Sequence, residues 1–415
     1  MITAEIITIG TEIVLGQIVD TNTPYIAQNL SEKGIRVQFQ TSVGDDKELL
    51  KSALKIARDR ANLIITTGGL GPTANDMTRE AVSEFFDIPL VQDKDAFVRI
   101  QKYIGGQHRN VPDAQTKQTM IPEGALAIHN DNGTATGFVC RIRDIEIICL
   151  PGVPREMKAM LDKCLEAYAT QNKLVEGCTL TRNMHTFGIS EPEVESQIKE
   201  YADKECSTKV MTLVHDGIVT INILATAKTR ESAIKLLDRI EQDIRKKLGN
   251  AVFGVGDETP EYTVATLLKK YHKTIAVAES CTGGLVSDKL TNIPGISEYF
   301  MEGVVAYSNK AKIEILGVSE EFIRKYGAVS PQVARAMAEG VKKRASANIG
   351  VGITGIAGPT GATKEKPVGL VYIAVVVDND VEVKECRFKG SRIDIKTFSA
   401  NTALNMVRLL LLQTK

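Results

Sequence analysis

No charge of one sign dominates this chain: lysine and arginine total 51, and aspartate and glutamate total 51. A neutral balance gives no reason to expect a nucleic-acid or membrane-surface partner. There is no Cys-x-x-Cys pair. The cysteines at 140, 149, 164, 178, 206, 281 and 386 are scattered and odd in number, which argues against a zinc site or a disulfide framework and suits a reducing cytosol. The first residues, Met1-Ile2-Thr3-Ala4-Glu5, lack the basic segment of a signal peptide. Apolar runs such as Gly369 to Val377 fall far short of the roughly 20 residues of a membrane span. A cytoplasmic protein with no membrane partner is expected.

What is present points to a multidomain α/β protein. Its 415 residues exceed the ~250–300 at which one hydrophobic core stops growing, so two or three domains are expected. An apolar content of 43% and a charged content of 25% are ordinary for a globular chain.

Residues 1 to about 170 alternate strand, glycine turn and helix. Ala4 to Ile9 reads as a strand, Thr23-Pro24 as an N-cap and first-turn proline, and Ile35 to Val43 as a second strand. Asp45 or Asp46 caps a helix carrying Leu50, Ala53, Leu54 and Ala57 on one face, and Asn62 to Thr67 is a buried strand. This β-α-β-α-β order implies a parallel sheet with helices on both faces, a doubly wound three-layer domain. The third strand runs into Gly68-Gly69-Leu70-Gly71-Pro72-Thr73-Ala74-Asn75-Asp76. Glycines between a strand and a helix let backbone N–H groups approach a phosphate. Asp76 suits a divalent cation bridging that phosphate; equally, Asp76 or Thr78 caps the next helix. Two similar loops follow, around Gly133-Thr134 and Gly152 to Glu156.

Residues 171 to 255 read as a small α+β module. Ser190 and Glu193 have capping-box spacing, Asp216-Gly217 joins two strands as a hairpin, and Glu231 to Leu248 is helical. No Gly-x-x-Gly loop lies between its helix and strands, so a spacer or dimer contact is expected rather than RNA binding. A homodimer is the expected assembly.

Residues 256 to 415 form a further three-layer α/β domain. The apolar Ile275-Ala276-Val277-Ala278 leads into Glu279-Ser280-Cys281-Thr282-Gly283-Gly284, after which helical spacing resumes at Leu285. Strand, tight turn and helix lift Ser280 to the end of a sheet. There it is either a helix cap or a nucleophile beside backbone N–H donors. Tyr307 to Lys312 follows a second apolar run, and Thr354 to Pro359 a third. Ser330-Pro331 starts a helix, so Ser330 is a cap. Asp378-Asn379-Asp380 turns a hairpin, and a helix from about Asp394 to Leu412 closes the chain. His129, His185 and His215 stand isolated.

Ala278 to Gly284, Tyr307 to Lys312, Thr354 to Pro359 and Lys366 to Gly369 together resemble the nicotinamide mononucleotide (NMN) deamidase domain of the CinA family. The loops of the first domain resemble that family's molybdopterin-binding-like domain, and the middle module its KH-like domain. The resemblance implies hydrolysis of NMN to nicotinic acid mononucleotide and ammonia, with no cofactor. It implies Ser280 as nucleophile, Lys312 as its base and Tyr307 beside them. Thr354, Gly355 and Gly358 receive the substrate, the Cys281, Thr282, Gly283 and Gly284 turn holds the oxyanion, and Arg392 and Lys396 take the phosphate. Lysine at 396 replaces a usual arginine and loses its bidentate fork.

For the first domain the resemblance implies a phosphate site of Gly68, Gly69, Gly71, Thr73, Gly133, Thr134 and Gly152. In some relatives this domain is an ADP-ribose pyrophosphatase needing a divalent cation such as magnesium. Asp76, Asp45 and Glu156 are the candidate ligands here. Asn75 stands where the family commonly has a second aspartate, and Thr136 where it has proline, so binding with weak or absent hydrolysis is expected.

The Ser–Lys pairing carries a condition. Bringing a lysine from its ordinary pKa of ~10.4 to ~7 costs about 4–5 kcal/mol. Burial can supply that, as can nearby cations, for which Lys310, Arg392 and Lys396 are candidates. Otherwise Lys312 is a solvated helix residue. Cys281 is the rival nucleophile. Two other readings are a non-catalytic binding protein linked to competence and DNA damage, and a molybdopterin protein; Ser280, Lys312 and Thr354 together favour an enzyme.

Overall fold

The computed structural model describes residues 2–104, 112–142, 144–171, 178–201, 207–378 and 380–413. Cys206 and Asn379 lie outside them. The chain divides into two compact units, one of residues 1–180 with 225–235, the other of 181–224 with 236–415.

The first unit is built on a six-stranded sheet ordered Arg36–Val43, Thr3–Ile9, Leu63–Thr67, Ile145–Leu150, Gly137–Ile142, Leu126–Ile128. The first four strands are parallel, and only Gly137–Ile142 runs against the rest, antiparallel to both its neighbours. Strand alternation sets the layers. Ala4 and Ile6 face the helices Asn22–Glu32 and Pro154–Gln171, while Ile7 and Ile9 face Lys47–Arg58 and Thr78–Phe86. Asp46 caps its helix by accepting from Leu49 N at 2.9 Å.

Two expected caps fall elsewhere. Thr23 lies inside the helix Asn22–Glu32, and Asp20 accepts from the N–H groups of Asn22 (2.9 Å) and Thr23 (3.0 Å). A carboxylate two residues before the helix thus satisfies its first two amides. Neither Asp76 nor Thr78 caps the helix Thr78–Phe86: Thr78 is its first residue, and its hydroxyl donates to Gly68 O at 2.9 Å.

The middle segment forms a four-stranded sheet ordered Thr208–His215, Ile218–Ala227, Cys178–Phe187, Val252–Val255. The hairpin turns through Asp216 and Gly217, both left-handed at φ 53° and 76°, as a two-residue Asp-Gly loop requires. Glu193 accepts from the N–H and hydroxyl of Ser190 at 2.9 and 2.6 Å.

The last domain has a five-stranded sheet ordered Phe300–Val305, Ile275–Glu279, Ile349–Gly355, Leu370–Val377, Asp380–Arg387, parallel across the first three strands and antiparallel thereafter. Helices Pro260–Tyr271 and Arg392–Gln413 cover one face, and Asn309–Leu316 and Pro331–Arg344 the other. Two glycines in the central strand admit the helix Pro331–Arg344. A β-carbon at Gly350 would lie 2.1 Å from Ala338 O, and one at Gly352 2.2 Å from Ala334 O.

The helix Arg392–Gln413 also touches the middle segment. Asn401 donates to Asp216 O at 3.0 Å and Arg408 to Asn250 O at 2.5 Å. The helix whose first turns carry Arg392 and Lys396 is therefore held further along by the small module.

Candidate active site

The strand Ile275–Glu279 is buried throughout, flanked on both edges, and can end only by leaving the sheet. Ser280 N still donates to Ile353 O at 3.0 Å, so the serine sits at the last rung of the ladder. Gly283 (φ 63°) and Gly284 (φ 98°) then turn the chain into the helix Leu285–Thr291. Both angles are left-handed, a region that glycine enters without steric cost. Ser280 is 8% exposed and Lys312 1%.

Ser308 caps the helix Asn309–Leu316, accepting from Ala311 N at 3.0 Å. One turn on, Lys312 shares the buried face with Leu316. Its Nζ lies 2.9 Å from Ser280 Oγ, 2.8 Å from Ala306 O and 3.2 Å from Tyr307 O. The solvated alternative for Lys312 does not hold. Desolvation by burial pushes its pKa below the ordinary 10.5. The nearby-cation part of the expectation is corrected. Lys310 points outward to Glu314 at 3.8 Å, and Arg392 and Lys396 do not contribute. No carboxylate stands within ion-pair distance of Lys312 among the described residues.

Around this pair, Arg392 donates to Gly358 O at 2.6 Å and to the Tyr307 hydroxyl at 3.1 Å. Lys396 stands over the turn: a β-carbon at Gly283 would lie 3.7 Å from its Nζ. Ser280, Lys312, Tyr307, Gly283, Gly358, Arg392 and Lys396 therefore converge. Thr354 is 1% exposed and donates to Ala328 O at 2.8 Å. Ser330 donates to Gly327 O at 3.0 Å and accepts from Val333 N at 3.4 Å, as a cap does. Burial pushes the Cys281 thiol up to about 12.

The first domain's glycine loops line a cleft of about 600 Å³. Gly68, Gly69, Gly71, Thr73, Thr134, Gly152, Asp45, Asp76 and Glu156 all border it; Gly133 backs it, since a β-carbon there would lie 2.4 Å from Glu156 Oε1. Among the described residues no group of three or more potential ligands stands close enough to hold a metal ion. Each carboxylate accepts a hydrogen bond from the protein: Asp45 from Thr11 N (2.9 Å), Asp76 from Thr73 N (2.9 Å) and Oγ1 (2.5 Å) in its own loop, and Glu156 from Asn130 (2.6 Å).

Three family descriptions match in chain order: Probable molybdopterin binding domain over residues 5–171, Damage-inducible protein CinA KH domain over 181–254 and CinA C-terminal domain over 257–411. A competence-damage inducible protein of Clostridium beijerinckii is 41% identical over 410 residues, covering 99% of this chain and 100% of its own. The chain belongs to the CinA family. A CinA-like protein of Kosmotoga olearia is 42% identical and covers 99% of each. Among solved structures, CinA of Thermoplasma acidophilum, described as of unknown function, is 34% identical over 40% of this chain and 96% of its own, with a TM-score of 0.38.

Two polar residues of this CinA-family chain escaped the sequence reading. Asn22 donates to Thr67 Oγ1 (3.0 Å) and Gly152 O (2.8 Å) on the floor of the first cleft. Glu279 is wholly buried at the end of an apolar strand. A carboxylate closing an otherwise apolar run was the available signal for the second; Asn22 had none.

Proposed function

We propose that the last domain is an amidohydrolase converting NMN to nicotinic acid mononucleotide and ammonia through an acyl-enzyme on Ser280. The observation that carries this reading is the buried Lys312 amine 2.9 Å from the Ser280 hydroxyl. A neutral lysine has two hydrogens and one lone pair. With the hydrogens on Ala306 O and Tyr307 O, the lone pair is left for the Ser280 proton. Ser280 attacks the carboxamide carbon, backbone N–H groups of the turn receive the oxyanion, and Lys312 returns the proton to departing ammonia. Water then cleaves the ester. The raised thiol pKa supports serine over Cys281. Arg392 and Lys396 supply cations for the substrate phosphate.

The first domain, in this reading, binds a phosphorylated ligand on its glycine loops with weak or absent hydrolysis, and no step is assigned to a metal there. Ammonia release from NMN by the full chain tests the main proposal. Ser280→Ala is expected to abolish it and Cys281→Ala to retain it; full activity in the serine variant sinks the mechanism.

A further inference from the structure

Glu279 is 0% exposed. Among the described residues no basic side chain reaches it, and an unpaired buried carboxylate is strongly disfavoured. Its partners are four hydrogen-bond donors. Oε2 accepts from Gly284 N at 2.9 Å and Val286 N at 3.1 Å; Oε1 accepts from Ser287 N at 2.9 Å and Ser287 Oγ at 2.8 Å. Such bonds to an ionised oxygen are roughly twice as strong as neutral ones. Three of the donors are backbone amides at and just inside the start of the helix Leu285–Thr291. The carboxylate thus reaches from the end of the strand across the Ser280 turn and caps the helix on its far side.

Two consequences follow. The turn is fastened at both ends: Ser280 N to Ile353 O (3.0 Å) on the sheet, and Gly284 N to Glu279. The amides of Gly284, Val286 and Ser287 are also taken, so none of them is free for a substrate anion. Within the turn, Gly283 N bonds to Ser280 O at 3.2 Å, and among the described residues the N–H groups of Cys281 and Thr282 meet only the Cys281 sulfur, a weak acceptor that a substrate oxyanion would displace.

We propose that Glu279 is the positioning residue of the nucleophile turn: it holds the Cys281 and Thr282 N–H groups as the oxyanion donors and, by occupying the helix start, leaves the substrate phosphate to Arg392 and Lys396. The proposal rests on the amidohydrolase reading for its substrate, and on geometry alone for the turn.

The test uses the full chain. Glu279→Gln keeps the shape but puts an NH2 group against donors. It is expected to lower kcat on NMN by about tenfold or more, the scale of a misplaced oxyanion donor, with KM within about threefold. The same fall in kcat is expected on nicotinamide riboside, which lacks the phosphate. Arg392→Ala is expected to raise KM for NMN more than for the riboside, the opposite split from Glu279→Gln.

Labelling of Ser280 by a fluorophosphonate is expected to slow in parallel in Glu279→Gln. That readout does not need NMN to be the substrate. Wild-type labelling without NMN turnover would defeat the amidohydrolase reading while still testing Glu279. Should Glu279→Gln not fold, Glu279→Asp keeps the charge but is one methylene too short, and an intermediate loss of kcat and labelling is expected. A folded Gln or Asp variant with wild-type kcat and labelling rate overturns the proposal.

Discussion

Lys312 as an ammonium offers three hydrogens to three acceptors: Ser280 Oγ, Ala306 O and Tyr307 O. As an amine it keeps the two carbonyl bonds and turns its lone pair to the serine. Burial favours the amine, since desolvation lowers the pKa below 10.5. The sign follows: the group is inactive while protonated, so kcat/KM is expected to rise with pH through an apparent pKa below 10.5, and Lys312→Arg, charged at every accessible pH, to lose about 10²–10⁴-fold. A flat profile, or an active arginine variant, contradicts the base assignment. Ser280 and Lys312 were visible in the sequence through their motifs. The source of the pKa shift was only half visible, because nothing in the order of residues says that Lys310 points outward while Lys312 points in. Thr354 reads as substrate-facing by resemblance, and its hydroxyl donates to Ala328 O, a contact from a different segment that no local pattern encodes.

Among the elements, the strand Ile349–Gly355 shows how packing overrides propensity. Glycine weakens a strand, but Gly350 and Gly352 let the helix Pro331–Arg344 approach until a β-carbon would stand 2.1–2.2 Å from its carbonyls. Gly352→Ala is expected to lower stability by about 1–3 kcal/mol, the cost of overpacking, measured as a lower denaturation midpoint with unchanged slope; a neutral result means the helix can retreat. Capping was legible where it is local: Asp46, Ser190 and Ser330 all lie at helix starts. It was not legible where the cap comes from upstream, as with Asp20, or from across a turn, as with Glu279. Glu279 reaches amides five to eight residues on, beyond a motif read three positions ahead, and Asp20 stands outside the helix that the Thr23-Pro24 pattern announced. The Asp216-Gly217 hairpin was readable because two left-handed residues in succession leave few other choices.

At the scale of the whole chain, the family matches run 5–171, 181–254 and 257–411. The compact units are two rather than three, because most of the middle segment groups with the last domain. Within that unit, side chains of the helix Arg392–Gln413 reach Asp216 O and Asn250 O, long-range contacts that hydrophobic period does not announce. They also mean that the cations proposed for the phosphate ride on a helix anchored in two modules. No helix among the described residues is long and apolar enough to cross a membrane. The most direct test of the account is to quench the full chain during turnover of NMN and locate the acyl group by peptide mass. The account predicts an ester on Ser280 with the mass of NMN less ammonia; turnover with the adduct on Cys281, or with no adduct under conditions that trap slow esters, would contradict it.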